Sequence, residues 1–240
     1  VTAPDAAELL AAMEATWPAA AAARHGPWMI RDGQGGGKRV SAATAEGPVG
    51  EGDIPAAEAA LTDLGQTRLF QVRAGEDDLD RLLDVRGYAV IDPVTLYACP
   101  VRPLADQERP RLSAFTMWEP LAIMREIWAE GGIGPARQAV MERADGPKTA
   151  VLGRADDKPA GTAFVAVHRD IAMVHALEVR PTSRRRGAAR HMMVQAAQWA
   201  QAQGAGTLAL AVTDANEAAN ALYRALGMTA AARYHYRLLD

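Results

Sequence analysis

A single cysteine, Cys99, stands among 240 residues. That excludes a disulfide framework and a multi-cysteine zinc site. It leaves Cys99 to be read as a small buried hydrophobe, in a chain whose expected location is a reducing cytoplasm. No apolar run approaches the ~18 residues needed to cross a bilayer, so no membrane association is expected. The opening segment has no basic stretch and carries Asp5, Glu8 and Glu14, so it is not expected to be a secretory signal. Its apolar positions Ala6, Leu9, Leu10, Met13 and Trp17 predict an amphipathic helix instead. A broad basic face is also missing. The formal net charge is -3, which argues against a general nucleic-acid binder. The histidines His25, His168, His175, His191 and His235 show no metal-ligand spacing with Asp, Glu or Cys, and no metal is expected. Finally, "RDGQGGGKR" (31–39) fails as a phosphate-binding P-loop. Too few residues separate Gly33 from Gly37, and Arg39 rather than Ser or Thr follows Lys38. The expected structure is a flexible hairpin turn between "WMI" and "VSAAT".

What is present is an alanine-rich, helix-favouring chain of ordinary globular composition, with length for one large or two small domains. Two stretches share one pattern: "TRLFQVRAGEDDLDRLLDVRGYAV" from Thr67 and "TLALAVTDANEAANALYRALGMTA" from Thr207. Each reads as strand, polar turn, amphipathic helix, glycine and strand, at a constant offset of 140 residues. Gly187 falls on Gly47 at the same offset, and the helix before each strand is expected to align without a gap. The sequence therefore contains two copies of one unit. The Pro-punctuated stretch "CPVRPLADQERPRL" (99–112) joins them, giving expected domains at 1–106 and 107–240.

In the second copy, "EPLAIMREIWAEGG" predicts a helix with Leu121, Met124, Arg125 and Trp128 on one face. "GPARQAVMERADG" predicts another, with Pro135 in its first turn. "KTAVLGR" and "GTAFVAVH" predict a hairpin about "ADDKPA". "DIAMVHALEV" is apolar on both faces and predicts a central strand. A helix from about Gly187 to Gln203 follows, with Ala189, Met192, Met193, Ala196 and Ala200 as its buried stripe. The class is α/β with a mixed, mostly antiparallel sheet in each copy, flanked by helices.

The densest positive charge of this acidic chain lies between that strand and helix. "VRPTSRRRGAARHMM" sets Arg184, Arg185, Arg186 and Arg190 around Gly187, Ala188 and Ala189. A helix N-terminus offers free backbone N–H groups and partial positive charge. Small residues let an anion approach the backbone, and arginines add charge-assisted bonds to phosphate. A solvated basic turn or a short nucleic-acid patch is the alternative. At the matching place the first copy reads "AATAEG" (42–47) and has no arginine, so it is not expected to bind the same ligand. Further on, Asn216, Asn220 and Tyr223 lie at i, i+4 and i+7, predicting a polar helix stripe. Ala218, Ala219, Leu222 and Leu226 form the predicted apolar face.

The pattern V-x-P-x-x-R-x-x-G-x-A, here with Arg184, Gly187 and Ala189, resembles motif A of the GNAT superfamily of acyl-CoA-dependent N-acyltransferases. "NEAANALYRALGM" resembles that family's N-x-x-A-x-x-L-Y-x-x-L-G-F, with Met228 in place of Phe. The resemblance covers about residues 119–237. The first copy is similar to a fold of this type without its coenzyme loop, and the layout is similar to bacterial tandem GNAT proteins.

The resemblance implies two tandem GNAT-like domains and acetyl-CoA as cosubstrate, with one coenzyme per chain. It implies loop backbone on the pyrophosphate, Leu177, Glu178 and Val179 pairing with the pantetheine arm, and Asn216, Asn220 and Tyr223 at the coenzyme. Tyr223 would protonate the departing thiolate. The base that deprotonates the amine is His175 or Glu178, or is absent with water in its place. The run H-A-L-x-V resembles the arylalkylamine N-acetyltransferases, although Met173 replaces their second histidine. Trp128, Ile133, Tyr234 and Tyr236 are the candidates for the acceptor pocket. The expected activity is acetyl transfer to a primary amine of a small molecule or peptide. A non-catalytic acyl-CoA-binding or regulatory module is the alternative. A homo-oligomer is compatible with the sequence, and oligomeric state is left open.

Overall fold

A computed structural model describes residues 3–239. Residues 1–2 and 240, the outer ends of the two expected domains, lie outside the described residues. The chain begins with α1 (Ala6–Thr16), started by a reciprocal cap. Glu8 N–H donates to Asp5 Oδ1 at 2.8 Å, and Asp5 N–H donates to Glu8 Oε2 at 3.0 Å, so two free donors of the helix end are satisfied at once. Leu9, Ala12, Met13 and Thr16 form its buried face. Of the expected stripe, Ala6 is exposed and Leu10 half-buried.

Three strands, β1 (Ala21–His25), β2 (Trp28–Asp32) and β3 (Thr44–Ala45), make a small antiparallel sheet. Residues 33–43 join β2 to β3 and contain a 3-10 turn at Lys38–Val40. This is longer than the hairpin turn expected of the glycine run, and it is docked rather than flexible. A Cβ on Gly36 would sit 2.6 Å from Val140 Cγ2, and one on Gly37 would sit 2.9 Å from Arg137 Nε. The glycines are there because the loop backbone lies directly against a helix of the other copy.

The remaining elements are α2 (Ile54–Asp63), β4 (Arg68–Arg73), α3 (Asp77–Val85), β5 (Ala89–Pro100), α4 (Val101–Ala105), β6 (Ala114–Met117), α5 (Ala122–Glu130), α6 (Pro135–Arg143), β7 (Lys148–Ala155), β8 (Lys158–His168), β9 (Ile171–Val179), α7 (Ala188–Ala202), β10 (Thr207–Thr213), α8 (Glu217–Ala225) and β11 (Thr229–Leu239). The β7–β8 turn is tighter than expected. Only Asp156 and Asp157 form it, at φ 49° and 60°, the left-handed pair that a two-residue hairpin requires. Pro159 lies within β8.

Eight strands form one sheet in the order β4-β11-β5-β10-β9-β8-β7-β6, all antiparallel except β9 with β10. The two copies exchange strands inside it. β5 of the first pairs with β10 of the second, and β11 of the second pairs with β4 of the first. Swapping the copies turns the order β4-β11-β5-β10 into its own reverse, so a local two-fold axis runs between β5 and β11. Register obeys it: Val212 faces Thr95 as Val72 faces His235, and Leu208 faces Cys99 as Arg68 faces Leu239. Helices α3 and α8 are 140 residues apart at both ends. Gly87 and Gly227 end them at φ 86° and 83°, a conformation other residues rarely take.

Upstream of β4 the repeat is looser than expected. α2 ends where α7 does at this offset, within one residue, but starts six residues later. "AATAEG" supplies the buried strand β3 instead of a turn before a helix. Only Gly187 of the pair Gly47/Gly187 has a positive φ, at 81°.

Candidate active site

The site grows from an irregularity in β9. Its register with β8 slips between Thr162 and Phe164, and Ala176 takes φ 50°, the mark of a β-bulge. The buried Trp128 indole donates to the Ala176 carbonyl at 2.8 Å. Trp128, expected in the acceptor pocket, therefore does not line it. It is buried in the core and holds the bulge from α5. Past the bulge β9 and β10 part. Their parallel pairing spans only Ile171–Val174 with Thr207–Leu210, while β9 runs on to Val179. The edge of residues 176–179 towards β10 is thus free of strand partners, which lets an extended ligand add there as a strand does. Leu177 and Val179, like Ala219 and Leu222 of α8, pack partly buried against the same core cluster.

The arginine loop follows β9. Gly187 occupies the position before α7, and no side chain caps that helix. A Cβ on Gly187 would meet the His191 ring at 3.2 Å. Ala188 is buried and Ala189 half-buried, so the buried stripe of α7 runs through Ala188 rather than through the expected Ala189. The arginines divide. Arg186 pairs with Asp156 on the β7–β8 turn, and Arg190 donates to Gln107 Oε1 at 2.7 Å. Arg184 makes one bond, Nε to the Val179 carbonyl at 3.3 Å, and Arg185 makes none among the described residues. Only Arg186 of the four is thus paired with a carboxylate among the described residues, and Arg190 bonds a neutral amide.

Helix α8 buries part of its polar stripe beside the expected apolar face, where Leu226 is buried and Ala219 and Leu222 are half-buried. Asn220 and Tyr223 are buried while Ala218 is exposed. Asn216 caps the helix, accepting from Ala219 N–H at 3.1 Å. The Asn220 amide donates to the carbonyls of Asn216 at 2.8 Å and Thr213 at 3.0 Å. Both asparagines are thereby engaged with the turn that opens α8. Tyr223 is different. Its pKa is pushed up to about 12, by burial and then by the Glu178 carboxylate, so it keeps its proton. Glu178 is half-buried, and burial raises its pKa although Arg184 and Arg137 pull it down. Its carboxyl group fits because the residue beside it is glycine: a Cβ on Gly131 would lie 2.8 Å from Glu178 Oε2.

His175 is built into the core. Its Nε2 lies 2.8 Å from Thr16 Oγ1, whose own proton goes to the Ala12 carbonyl at 2.6 Å. Its Nδ1 lies 3.1 Å from Arg39 Nη1. Arginine only donates, so Nδ1 accepts and Nε2 carries the proton. Burial, then the Arg39 charge, hold its pKa well below the usual histidine value. Both ring nitrogens are occupied, so in this arrangement the ring has no free lone pair for a substrate proton.

A cavity of about 230 Å³ opens beside the bulge, lined by Ala176, Trp17, Ile133, Tyr234, Tyr236 and the glycine loop, with Lys38, Arg39 and Arg137 in its walls. Ile133, Tyr234 and Tyr236 are thus brought together in one cavity. Lys38, Arg39 and Arg137 were missed by sequence reasoning, because no motif marks them. Among the described residues no cluster of metal-ligating side chains occurs, and no helix is long and apolar enough to cross a membrane.

The pattern of the Acetyltransferase (GNAT) family matches residues 116–228. No curated protein matches the chain significantly. Among solved structures, a GCN5-related N-acetyltransferase from Kribbella flavida is 20% identical, with 97% of this chain and 95% of that one covered at a TM-score of 0.69. A conserved protein of unknown function from Staphylococcus epidermidis is 10% identical, with 90% and 92% covered at 0.68. A tandem GNAT protein from the clavulanic acid biosynthesis pathway is 15% identical, with 99% and 90% covered at 0.62. At such identities the likeness is one of fold. It agrees with the free strand edge, the uncapped helix and the repeated β–α–β unit: residues 116–228 are a GNAT-family acetyltransferase domain, carried in a chain with the tandem GNAT fold.

Proposed function

We propose that the second copy, residues 107–240, is an acetyl-CoA-dependent N-acetyltransferase acting on a primary amine of a small molecule or peptide, and that the first copy, residues 1–106, binds no coenzyme. One observation carries this reading. The free edge of β9 carries the Glu178 carboxylate close to the protonated Tyr223 phenol, and the same strand leads through the arginine loop into the uncapped start of α7. The edge at Leu177, Glu178 and Val179 would hold the pantetheine arm. The N–H groups at Gly187, Ala188 and Ala189 would hold the pyrophosphate, with Arg184 and Arg185 at the rim. When bound, the coenzyme supplies a thioester carbonyl to be attacked.

The chain's own groups then divide the proton work. An ammonium ion cannot attack, and Glu178 takes its proton. Its raised pKa makes it a better base than an exposed carboxylate. A backbone N–H on the β9 edge stabilises the charge that develops on the carbonyl oxygen. Tyr223 gives its proton to the departing sulfur. His175 acts by position: it ties α1 and Arg39 to β9 beside the pocket.

The test is thiol release from acetyl-CoA across a panel of amines, amino acids and peptides. Amine-dependent release with mass-confirmed acetylation is expected. Coenzyme binding with no release from any acceptor would favour a non-catalytic acyl-CoA-binding module.

A further inference from the structure

We infer that the acceptor carries a carboxylate, and that the first copy of the repeat supplies the group that recognises it. The amine itself comes from the acetyltransferase reading above. The carboxylate rests on the cavity alone.

Arg39 comes from the glycine loop of the first copy. It reaches into the cavity between Trp17 and the two tyrosines, and its Nε is buried with no hydrogen-bond partner. Its guanidinium bonds the neutral His175 ring and stands against the Tyr234 and Tyr236 phenols, and no carboxylate pairs with it among the described residues. A guanidinium in such a place lacks the anion that normally accompanies it. On the opposite wall Arg137 of α6 rests on Gly37 and makes no side-chain hydrogen bond or ion pair among the described residues. Lys38 is the third cation, and Asp92 neutralises it at 2.6 Å. The cavity therefore holds two guanidinium groups in no ion pair among the described residues, of which Arg137 feels the Glu178 carboxylate only at longer range, against one matched lysine–aspartate pair. The remaining walls, Trp17, Ile133, Tyr234 and Tyr236, are apolar and aromatic. Arginine's planar fork suits a carboxylate, and a space of about 230 Å³ suits a molecule of amino-acid size. The cavity abuts Ala176, the bulge residue, so an amine held there by its carboxylate end lies next to the β9 edge. The glycine run gains a function by this reading: it lets Arg39 and Arg137 approach one ligand from two sides.

The experiment uses matched triplets: leucine, leucinamide and isopentylamine, and phenylalanine, phenylalaninamide and phenethylamine. Each is measured by calorimetry on the full chain and by thiol release with acetyl-CoA. The free acid is expected to bind and react better than its amide or its decarboxylated amine, on the order of 30-fold for a lost charge-assisted contact. Arg39→Gln should collapse that preference. Arg137→Gln, on an exposed helix position, should shrink it too and serves if the first variant does not fold. Equal affinity across both triplets, or no binding of either acid, would overturn the inference. Selective binding of the acids without thiol release would overturn the acetyltransferase reading and leave the carboxylate site standing. Release that ignores the carboxylate would do the reverse.

Discussion

Two β–α–β units, β4–α3–β5 and β10–α8–β11, share a backbone and differ in almost everything chemical. Where α8 has Tyr223, α3 has the buried Leu83. Where α8 has Asn220 and Arg224, α3 has Asp80 and Asp84. One contact survives with its partners exchanged. Arg224 on helix α8 donates to Tyr97 on strand β5 at 3.2 Å, and Arg237 on strand β11 donates to Asp84 on helix α3 at 2.7 Å. The positions are related by the local two-fold, and the polarity is reversed. Backbone register is constrained by the shared strand pairs, because a slip in either copy would misplace both. Side chains facing away from the shared strands are not so constrained. The first copy has lost the phenol and the arginine loop, yet it contributes Trp17, Arg39 and two strands to the surroundings of the second copy's site.

The largest break in this comparison is expected at Tyr223. Tyr223→Phe should lower kcat for thiol release by about a thousand-fold, within the usual range for a lost acid, with acetyl-CoA affinity unchanged by calorimetry. The reciprocal change, Leu83→Tyr, should add no second coenzyme equivalent, since α2 starts too late and β3 is buried. Wild-type turnover in Tyr223→Phe would remove the phenol from the mechanism. Two coenzyme equivalents per wild-type chain would contradict the reading of the first copy.

Glu178→Gln comes next, with an expected loss of about a hundred-fold. The sign of the pH effect follows from its raised pKa. A protonated carboxyl cannot accept the amine's proton, so kcat/KM should fall as pH drops through a value above the ordinary ~4.3 of glutamate. That limb should vanish in the variant. Tyr223, with its pKa near 12, should contribute no alkaline limb below about pH 11. An unchanged acid limb in Glu178→Gln would assign it to another group.

The repeat, the arginine loop and Tyr223 were legible in the sequence because each is a local pattern. The strand exchange was not. A strand paired with its own copy and one paired with the other copy carry the same alternation, so no residue records the choice. The bulge at Ala176 lies in a largely apolar run that reads as an ordinary central strand, and the Trp128 indole that bonds it lies on a distant helix. The bonds of Asn220 were not legible either: helical spacing places it beside Tyr223, but only the turn before α8 supplies the carbonyls that let its amide be buried. Arg39 and Arg137 become a pair only when the glycine loop docks on α6.

A stability difference should separate the copies at Arg237. This buried side chain bonds Asp80 Oδ1 at 2.8 Å, Asp84 Oδ1 at 2.7 Å and the Tyr88 carbonyl at 2.7 Å. Arg237→Met should cost about 2 kcal/mol, below the figure for a fully buried pair because Asp84 is solvent-facing. Arg224→Met, the two-fold mate's equivalent, should cost less than about 1 kcal/mol. The Asp80 pKa is lowered, chiefly by Arg237. Its contribution is therefore present above the unfolded value of ~3.9 and is lost as pH falls through the folded one. Thermal melts of wild type and Arg237→Met should converge in acid. A constant gap would show that the loss is one of packing.

The smallest effect expected lies in the arginine loop, where the first copy has "AATAEG". If the charge serves coenzyme phosphates, the four arginines are not equal, because Arg186 and Arg190 already have protein partners and Arg184 and Arg185 have almost none. Arg184→Ala and Arg185→Ala should each weaken acetyl-CoA binding about ten-fold, the scale of one exposed charge-assisted contact. Arg186→Ala should weaken it only about two-fold, because Asp156 screens that guanidinium, and Asp156→Asn should tighten binding slightly by releasing it. All of these differences should narrow with added salt, as exposed charges do. Calorimetry at two ionic strengths checks the series. Equal losses at all positions would mean that the loop acts through its summed field, and that the ion pair with Asp156 gives way when the coenzyme binds.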